Sequence, residues 1–141
     1  MALDGTLPVA LGHIAEPLRG LAVPMADLVL DPANARRHPA RNLATIEASL
    51  RLYGQRKPIV VREAGRVVIA GNGTLEAARS LGWESIAAVI VDDDPVTAAG
   101  FGLADNRSAE LAEWDDGALS ALLGSLAEAA VALGELGWDP G

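Results

Sequence analysis

The chain has 141 residues, half of them hydrophobic and 21% charged, which is typical of a single globular domain. It contains no cysteine, which excludes disulfides, thiolate metal sites and a cysteine nucleophile. The formal net charge of −8 argues against a nucleic-acid binder, yet residues 36–66 hold eight Lys and Arg against two Glu, whereas residues 92–141 hold one against eleven acidic residues.

Residues 1–20 are rich in proline and glycine without sustained periodicity, so they are predicted to form a flexible arm. The arm lacks a signal-peptide pattern, and no apolar run reaches the roughly 18 residues of a membrane span, so we expect a cytoplasmic protein without membrane association. A strand is predicted over residues 21–30, with Pro24 restricting it to a sheet edge. Asn42 is a good N-cap for a helix through Tyr53, with an apolar face that includes Tyr53, and Gly54 would end it.

The middle of the chain alternates between strand and helix patterns. Residues 58–62 and 67–70 predict a hairpin, residues 75–81 a short helix, and residues 85–91 a buried strand. Asp94 followed by Pro95 predicts the start of a helix that reaches residue 103 or beyond. Asp116 is the predicted cap of a last amphipathic helix, before a loose end.

This order predicts an α/β or α+β fold, with a small mixed sheet and helices packed on it. The domain is expected over residues 21–116, followed by a C-terminal helix and tail over residues 117–141. Asp92 to Asp94 form an acidic run that a strand exit and a helix cap explain without a metal. His38 is predicted as a surface residue and a minor candidate for phosphate contact.

A glycine-rich bend, Gly71-Asn72-Gly73-Thr74, joins a predicted strand to a predicted helix. The first turn of a helix leaves backbone N–H groups without intrahelical partners, and the helix dipole adds positive potential there. Glycines let an anion approach such amides closely, which favours a phosphate site; a plain connection with a threonine cap is the alternative. Gly71→Val is accordingly expected to weaken anion binding more than folding.

Four segments in one order resemble the ParB/sulfiredoxin-like superfamily: "LDPANARRHP", "IEASLRLYGQRKPIVVRE", "VVIAGNGTLEAARSLGWESIAAVIV" and "ADNRSAELAEWD". The likeness covers roughly residues 20–116 and is strongest to ParB-like domains of phages and mobile elements, including those encoded beside DNA methyltransferases. It implies a domain that binds cytidine triphosphate with magnesium and acts as a switch on DNA.

The resemblance also implies roles for individual residues. The implied nucleotide ligands are Gln55, Pro58, Gly71, Asn72, Gly73, Thr74, Arg36 and Arg107. Asp105 and Asn106 take the place of the pair that holds the metal and would be the catalytic residues if the domain is an enzyme. The bend departs from the family because its phosphate-binding arginines are missing, and the sulfiredoxin cysteine and the ParB helix-turn-helix domain have no counterpart.

Three functions remain open from the sequence. The first is a binding module for a nucleoside triphosphate, CTP or ATP, or for nucleic-acid phosphates, with Mg²⁺, slow hydrolysis at most, and DNA as a partner. The second is an enzyme, either a metal-dependent nuclease or a kinase using the same cleft. The third is an accessory protein whose acidic tail docks a DNA-modifying protein. A homodimer is compatible with each.

Overall fold

The computed structural model describes residues 11–34 and 36–138. Within these ranges the chain forms four strands and four α-helices. The strands are β1 Ala22–Pro24, β2 Ile59–Arg62, β3 Val67–Ala70 and β4 Ser85–Val91. The helices are α1 Ala40–Tyr53, α2 Asn72–Ser80, α3 Pro95–Leu111 and α4 Asp116–Glu128. Short 3-10 segments cover Glu16–Leu21, Met25–Asp27 and Ala64–Arg66. No helix in the described ranges is long and apolar enough to cross a bilayer.

The four strands make one mixed sheet in the order β1-β4-β2-β3. Strands β2 and β3 form the predicted antiparallel hairpin, and β4 lies parallel to β2, with Ile59 opposite Ala88. Strand β1 pairs antiparallel with β4 at one edge, where Pro24 is tolerated. The predicted small α/β fold with a mixed sheet is therefore confirmed.

The core lies between the sheet and helices α1 and α2. Its large buried side chains come from these elements and from the 3-10 segment after β1: Met25, Leu28, Leu50, Ile59, Val61, Val68, Leu75 and Ile86. Burial alternates along β2, where Ile59 and Val61 face the core, as expected for a strand with one covered face. Apolar burial of this kind supplies the main driving force for folding.

The N-terminal strand and the predicted arm differ from expectation. Strand β1 covers three residues rather than ten, because the chain turns into a 3-10 segment at Met25. Ile14 is 1% exposed and forms an isolated bridge with Gln55, so residues 11–20 pack against the domain instead of forming a flexible arm. The remainder of the predicted arm, residues 1–10, lies outside the described residues.

Helix α1 begins at Ala40, two residues before the predicted cap. Asn42 does not cap it; its Oδ1 accepts a hydrogen bond from His38 Nδ1 at 2.6 Å. The helix ends at Gly54, whose φ is 73°, as predicted. Tyr53 was assigned to the buried face but is 43% exposed, and the Arg56 guanidinium lies over its ring.

Helix α3 runs eight residues past the predicted minimum, to Leu111. It packs beside β3 at Gly102, where an added Cβ would lie 2.9 Å from the carbonyl oxygen of Ile69. Asp94 caps it as predicted: its carboxylate accepts the backbone N–H of Thr97, and this bond lowers the pKa of Asp94 below its usual value.

The C-terminal segment returns to the domain. Asp115, rather than the predicted Asp116, caps α4 by accepting the N–H of Ala118. Trp138 packs edge to face on Trp114, with ring centroids 5.5 Å apart. A Cβ at Gly137 would lie 3.3 Å from Thr45 Oγ1 on α1, so the described part of the predicted loose end contacts the body.

Candidate functional site

The bend between β3 and α2 is the floor of the candidate site. Helix α2 begins at Asn72 rather than at the predicted residue 75, so Gly73 and Thr74 belong to its first turn. Gly71 precedes it with a φ of 104°, and a Cβ there would lie 2.4 Å from Ile59 Cγ2. Glycine is therefore required at position 71 by the fold itself, which corrects the expectation that Gly71→Val would mainly affect binding.

The first amides of α2 open into a cleft. The first intrahelical bond of the helix runs from Leu75 N–H to the Gly71 carbonyl at 2.9 Å, so the N–H groups of Asn72, Gly73 and Thr74 precede it. Gly71 is the N-cap residue and has no side chain that could accept a hydrogen bond from these N–H groups. A helix N-terminus of this kind favours anions through its free donors and its dipole.

Asn72 has a structural role that the resemblance did not imply. Its side chain is 8% exposed; its Nδ2 donates to the Val68 carbonyl at 3.1 Å, and its Oδ1 accepts the N–H of Asp31 at 3.0 Å. The side chain thus fastens the loop over residues 31–38 to the bend. The Asn72 side chain therefore anchors the bend, and the role of Asn72 as a ligand stays a prediction for its backbone N–H.

His38 covers the bend from the same loop. A Cβ at Gly73 would lie 2.6 to 3.0 Å from three atoms of the His38 ring, so Gly73 leaves room for the imidazole. His38, a minor candidate from sequence, is therefore placed directly at the glycine bend. The sequence indicated only that His38 lies in a basic loop. It could not show the contact with Gly73, because the two residues are 35 positions apart.

The bend opens into a cleft of about 530 Å³ between the 31–38 loop, α1 and α3. Two cationic side chains line it, Arg36 from the loop and Lys57 from the segment before β2. Arg36 Nη1 donates to Asn106 Oδ1 at 3.3 Å and lies 3.9 Å from Glu110 Oε2. Lys57 was not singled out from sequence, where it was only one of a cluster of basic residues.

A second cleft of about 770 Å³ adjoins the first and shares Lys57, Gly71 and Thr74 with it. Its wall carries the aromatic rings of Tyr53 and Phe101. Pro58, an implied ligand, lies here and not in the first cleft. The first cleft offers a polar surface at the N-terminus of α2, and the second offers a more apolar surface next to the first.

The implied metal pair does not converge on one point. Asp105 lines the second cleft, whereas Asn106 lines the first, because neighbouring residues on a helix point about 100° apart. The Asn106 oxygen also accepts from the cationic Arg36. Among the described residues no group of three or more His, Asp or Glu side chains could hold a metal ion. Asp105, the carboxylate of the pair, therefore lines a different cleft from the Asn106 amide.

Two further implied ligands are bonded within the protein. Gln55 is 1% exposed; its Nε2 donates to the carbonyls of Lys57 and Ala87, and its Oε1 accepts the N–H of Ala87 at 2.7 Å. Its side chain joins the end of α1 to β4, and the residue also lines the second cleft, where its role as a ligand stays a prediction. Arg107 forms an ion pair with Glu110 at 3.2 Å and lines neither cleft.

Arg79, in the last turn of α2, is structural. Its Nη2 donates to the Leu28 carbonyl at 2.7 Å, which anchors α2 to the segment after β1. Of the implied ligands, the structure brings five to one cleft: Arg36, Gly71, Asn72, Gly73 and Thr74.

Known proteins resemble this chain in sequence and in fold. No family model matches the sequence. The chain is 28% identical over 78 residues to the ParB-like nuclease domain-containing protein YnaK of Escherichia coli K12, a match covering 55% of this chain and 88% of that protein. Its fold resembles the C-terminally truncated chromosome-partitioning protein ParB from Caulobacter crescentus complexed with CTP-γ-S, with a TM-score of 0.60 and 25% identity.

That structural match covers 70% of this chain and 58% of the Caulobacter ParB, so the chain spans little more than half the length of that protein. The same ParB complexed to the centromeric parS site matches with a TM-score of 0.50 and 23% identity, over 60% of this chain and 46% of that one. The chain is thus similar to ParB-like proteins both in sequence and in fold.

Proposed function

We propose that this protein is a DNA-associated module that binds the phosphates of a nucleoside triphosphate at the N-terminus of α2. One observation carries the proposal: the first amides of α2 open into a cleft that also holds Arg36 and Lys57. The Caulobacter ParB of similar fold was solved with a CTP analogue, which supports a nucleotide as the ligand. The polyanion fits a site built from backbone donors and two cations.

Arg36 and Lys57 replace the charge that the family's arginine-rich turn would supply. A hydrogen bond between a charged side chain and a phosphate contributes about 1.5–3 kcal/mol, so either residue alone has a measurable effect. The Arg36 side chain is 42% exposed and already bonded to Asn106, which places its guanidinium at the rim. Lys57 lines both clefts and is the cation common to them.

The base is proposed to occupy the second cleft, where Tyr53 and Phe101 offer aromatic surface. CTP and ATP are both candidates. Mg²⁺ is proposed to arrive with the triphosphate, since this ion is usually held by one or two carboxylates together with substrate phosphates and water; Asp105 is the residue that would contact it. In that arrangement Asn106 orients Arg36 and is not a ligand.

Association with DNA is proposed for the basic part of the chain. Six cations between residues 36 and 57 are exposed on the surface: Arg36, Arg37, Arg41, Arg51, Arg56 and Lys57. Such a cluster favours phosphate backbones without reading sequence. The Caulobacter ParB was also solved with its DNA site, which supports DNA as the partner. Contact through a DNA-modifying protein, and a homodimer, remain part of this proposal.

Equilibrium titration with CTP and ATP, each with and without Mg²⁺, tests the nucleotide proposal. Lys57→Ala and Arg36→Ala should each weaken binding by about tenfold, the effect of losing one charge-assisted bond. Arg51→Ala is the matched control, because it removes one exposed cation of α1 that lines neither cleft, and its affinity should stay within about twofold. Equal losses in all three variants, or no binding by the unaltered protein, would refute the site.

The Escherichia coli relative, a ParB-like nuclease domain-containing protein, supports a nuclease as the second candidate. Incubation of plasmid DNA with Mg²⁺ or Mn²⁺ tests it. Cleavage that disappears in Asp105→Ala and persists in Lys57→Ala would favour the nuclease over the nucleotide module. Cleavage that survives both Asp105→Ala and Asn106→Ala would show that these two residues are not its catalytic pair.

A further inference from the structure

A glutamate of α3, Glu110, lies beside Arg36, the cation of the first cleft that is proposed to bind phosphate. Glu110 Oε2 is 3.9 Å from Arg36 Nη1, and the same guanidinium nitrogen donates to Asn106 Oδ1 one helical turn away. The other carboxylate oxygen, Oε1, accepts from Arg107 at 3.2 Å. Glu110 therefore lies between a guanidinium of the 31–38 loop and one of its own helix.

We infer that Glu110 competes with ligand phosphate for Arg36 and thereby sets the anion affinity of the cleft. The inference rests on the proposed function. A carboxylate and a phosphate oxygen are both anionic acceptors for the same planar donor, so Arg36 exchanges one for the other when a phosphate enters.

The Arg36–Glu110 ion pair is weak enough for a phosphate to displace the Glu110 carboxylate from Arg36. The two side chains are 42% and 49% exposed, and a separation of 3.9 Å is long for a hydrogen bond. Exposed pairs of this kind contribute little free energy and are screened by salt. A bidentate bond from Arg36 to phosphate is stronger, so ligand binding would break the pair and free the carboxylate.

Glu110 could instead support phosphate binding, and removing its charge would then change the affinity in the opposite direction. If Glu110 only holds Arg36 in the orientation that phosphate requires, removing its charge loosens the guanidinium and weakens binding. If it competes, removing its charge strengthens binding. Asn106 already provides a neutral acceptor that orients Arg36, so the competing role is the one that the contacts favour.

The test compares Glu110→Gln with Glu113→Gln by titration with inorganic triphosphate and with CTP. Glu113 is an exposed carboxylate just beyond the end of α3, so both variants change the net charge equally. Glu110→Gln should bind about two- to fivefold more tightly at low salt, with the gain reduced at high salt, whereas Glu113→Gln should match the unaltered protein. In an Arg36→Ala background, Glu110→Gln should bring no gain.

The outcomes separate this inference from the function on which it rests. Weaker or unchanged binding by a folded Glu110→Gln overturns the competition and leaves the site intact. An equal gain in Glu113→Gln, or a gain that persists without Arg36, shows a general charge effect and overturns it too. An unaltered protein that binds neither ligand overturns the proposed function, and the competition with it.

Discussion

The two glycines of the bend before α2 meet different demands. Gly71 has a left-handed backbone and lies against Ile59, whereas Gly73 is helical and makes room for the His38 ring. Neither demand comes from a ligand. A glycine-rich bend is therefore needed for folding here, and the proposed anion site would use the same geometry.

Gly71→Ala should destabilise the protein by more than about 2 kcal/mol, since it adds backbone strain and a clash with a core residue. Gly82→Ala is the matched control: Gly82 also has a positive φ, 78°, but no atom lies within 4 Å of an added Cβ. Its cost should be about 1 kcal/mol of strain alone. Chemical denaturation of both variants measures the difference, and equal losses would show that Ile59 does not constrain the bend.

Two residues that the sequence assigned to ligand binding have side chains bonded within the fold. Asn72 and Gln55 use their amides on partners far along the chain, Asp31 for the first and Ala87 for the second. Sequence spacing shows which residue types could bind a ligand, but not whether a distant backbone group already satisfies them. The glycine bend itself was predictable, because its signal is local. The placement of His38 and Lys57 around it was not.

At the scale of elements, prediction succeeded where one face is buried. Strands β2, β3 and β4 were predicted to within a residue or so, because buried aliphatic residues mark them clearly. Helix α3 was predicted only to residue 103 or beyond, since Ala98 is its one residue classed as buried and the remainder of its sequence carries no clear apolar period. The short β1 was overestimated because the apolar residues Met25 and Leu28 enter the core from a 3-10 segment and the turn after it.

The cap of α3 predicts a dependence of stability on pH. The Thr97 amide lowers the pKa of Asp94, so the ionised cap stabilises the fold above the ordinary carboxyl pKa, and this contribution is lost as pH falls through the lowered value. Asp94→Asn keeps an acceptor but no charge. The melting temperature of the variant should therefore lie below that of the unaltered protein at pH 7, and the gap should narrow in acid.

Thermal unfolding followed by circular dichroism across this range measures the gap. A gap of constant size from pH 7 to strongly acidic pH would show that the Asp94 charge does not stabilise the start of α3.

At the scale of the whole molecule, charge is divided along the chain and in space. The basic residues cluster around α1 and the segment before β2, whereas the acidic ones follow β4 into α3, α4 and the tail. The candidate clefts lie where these halves meet, with Arg36 and Lys57 on one side and Asp105 and Glu110 near the other. The net charge of −8 therefore says little about the local potential at the bend.

The most direct test of the account is a titration of ¹⁵N-labelled protein with CTP or ATP and Mg²⁺, followed by amide NMR. The account predicts saturable shifts concentrated at the amides of Asn72, Gly73 and Thr74, with no comparable change in α4. Amides at the bend that stay unmoved at millimolar nucleotide, or that shift no more than those of α4, would contradict it.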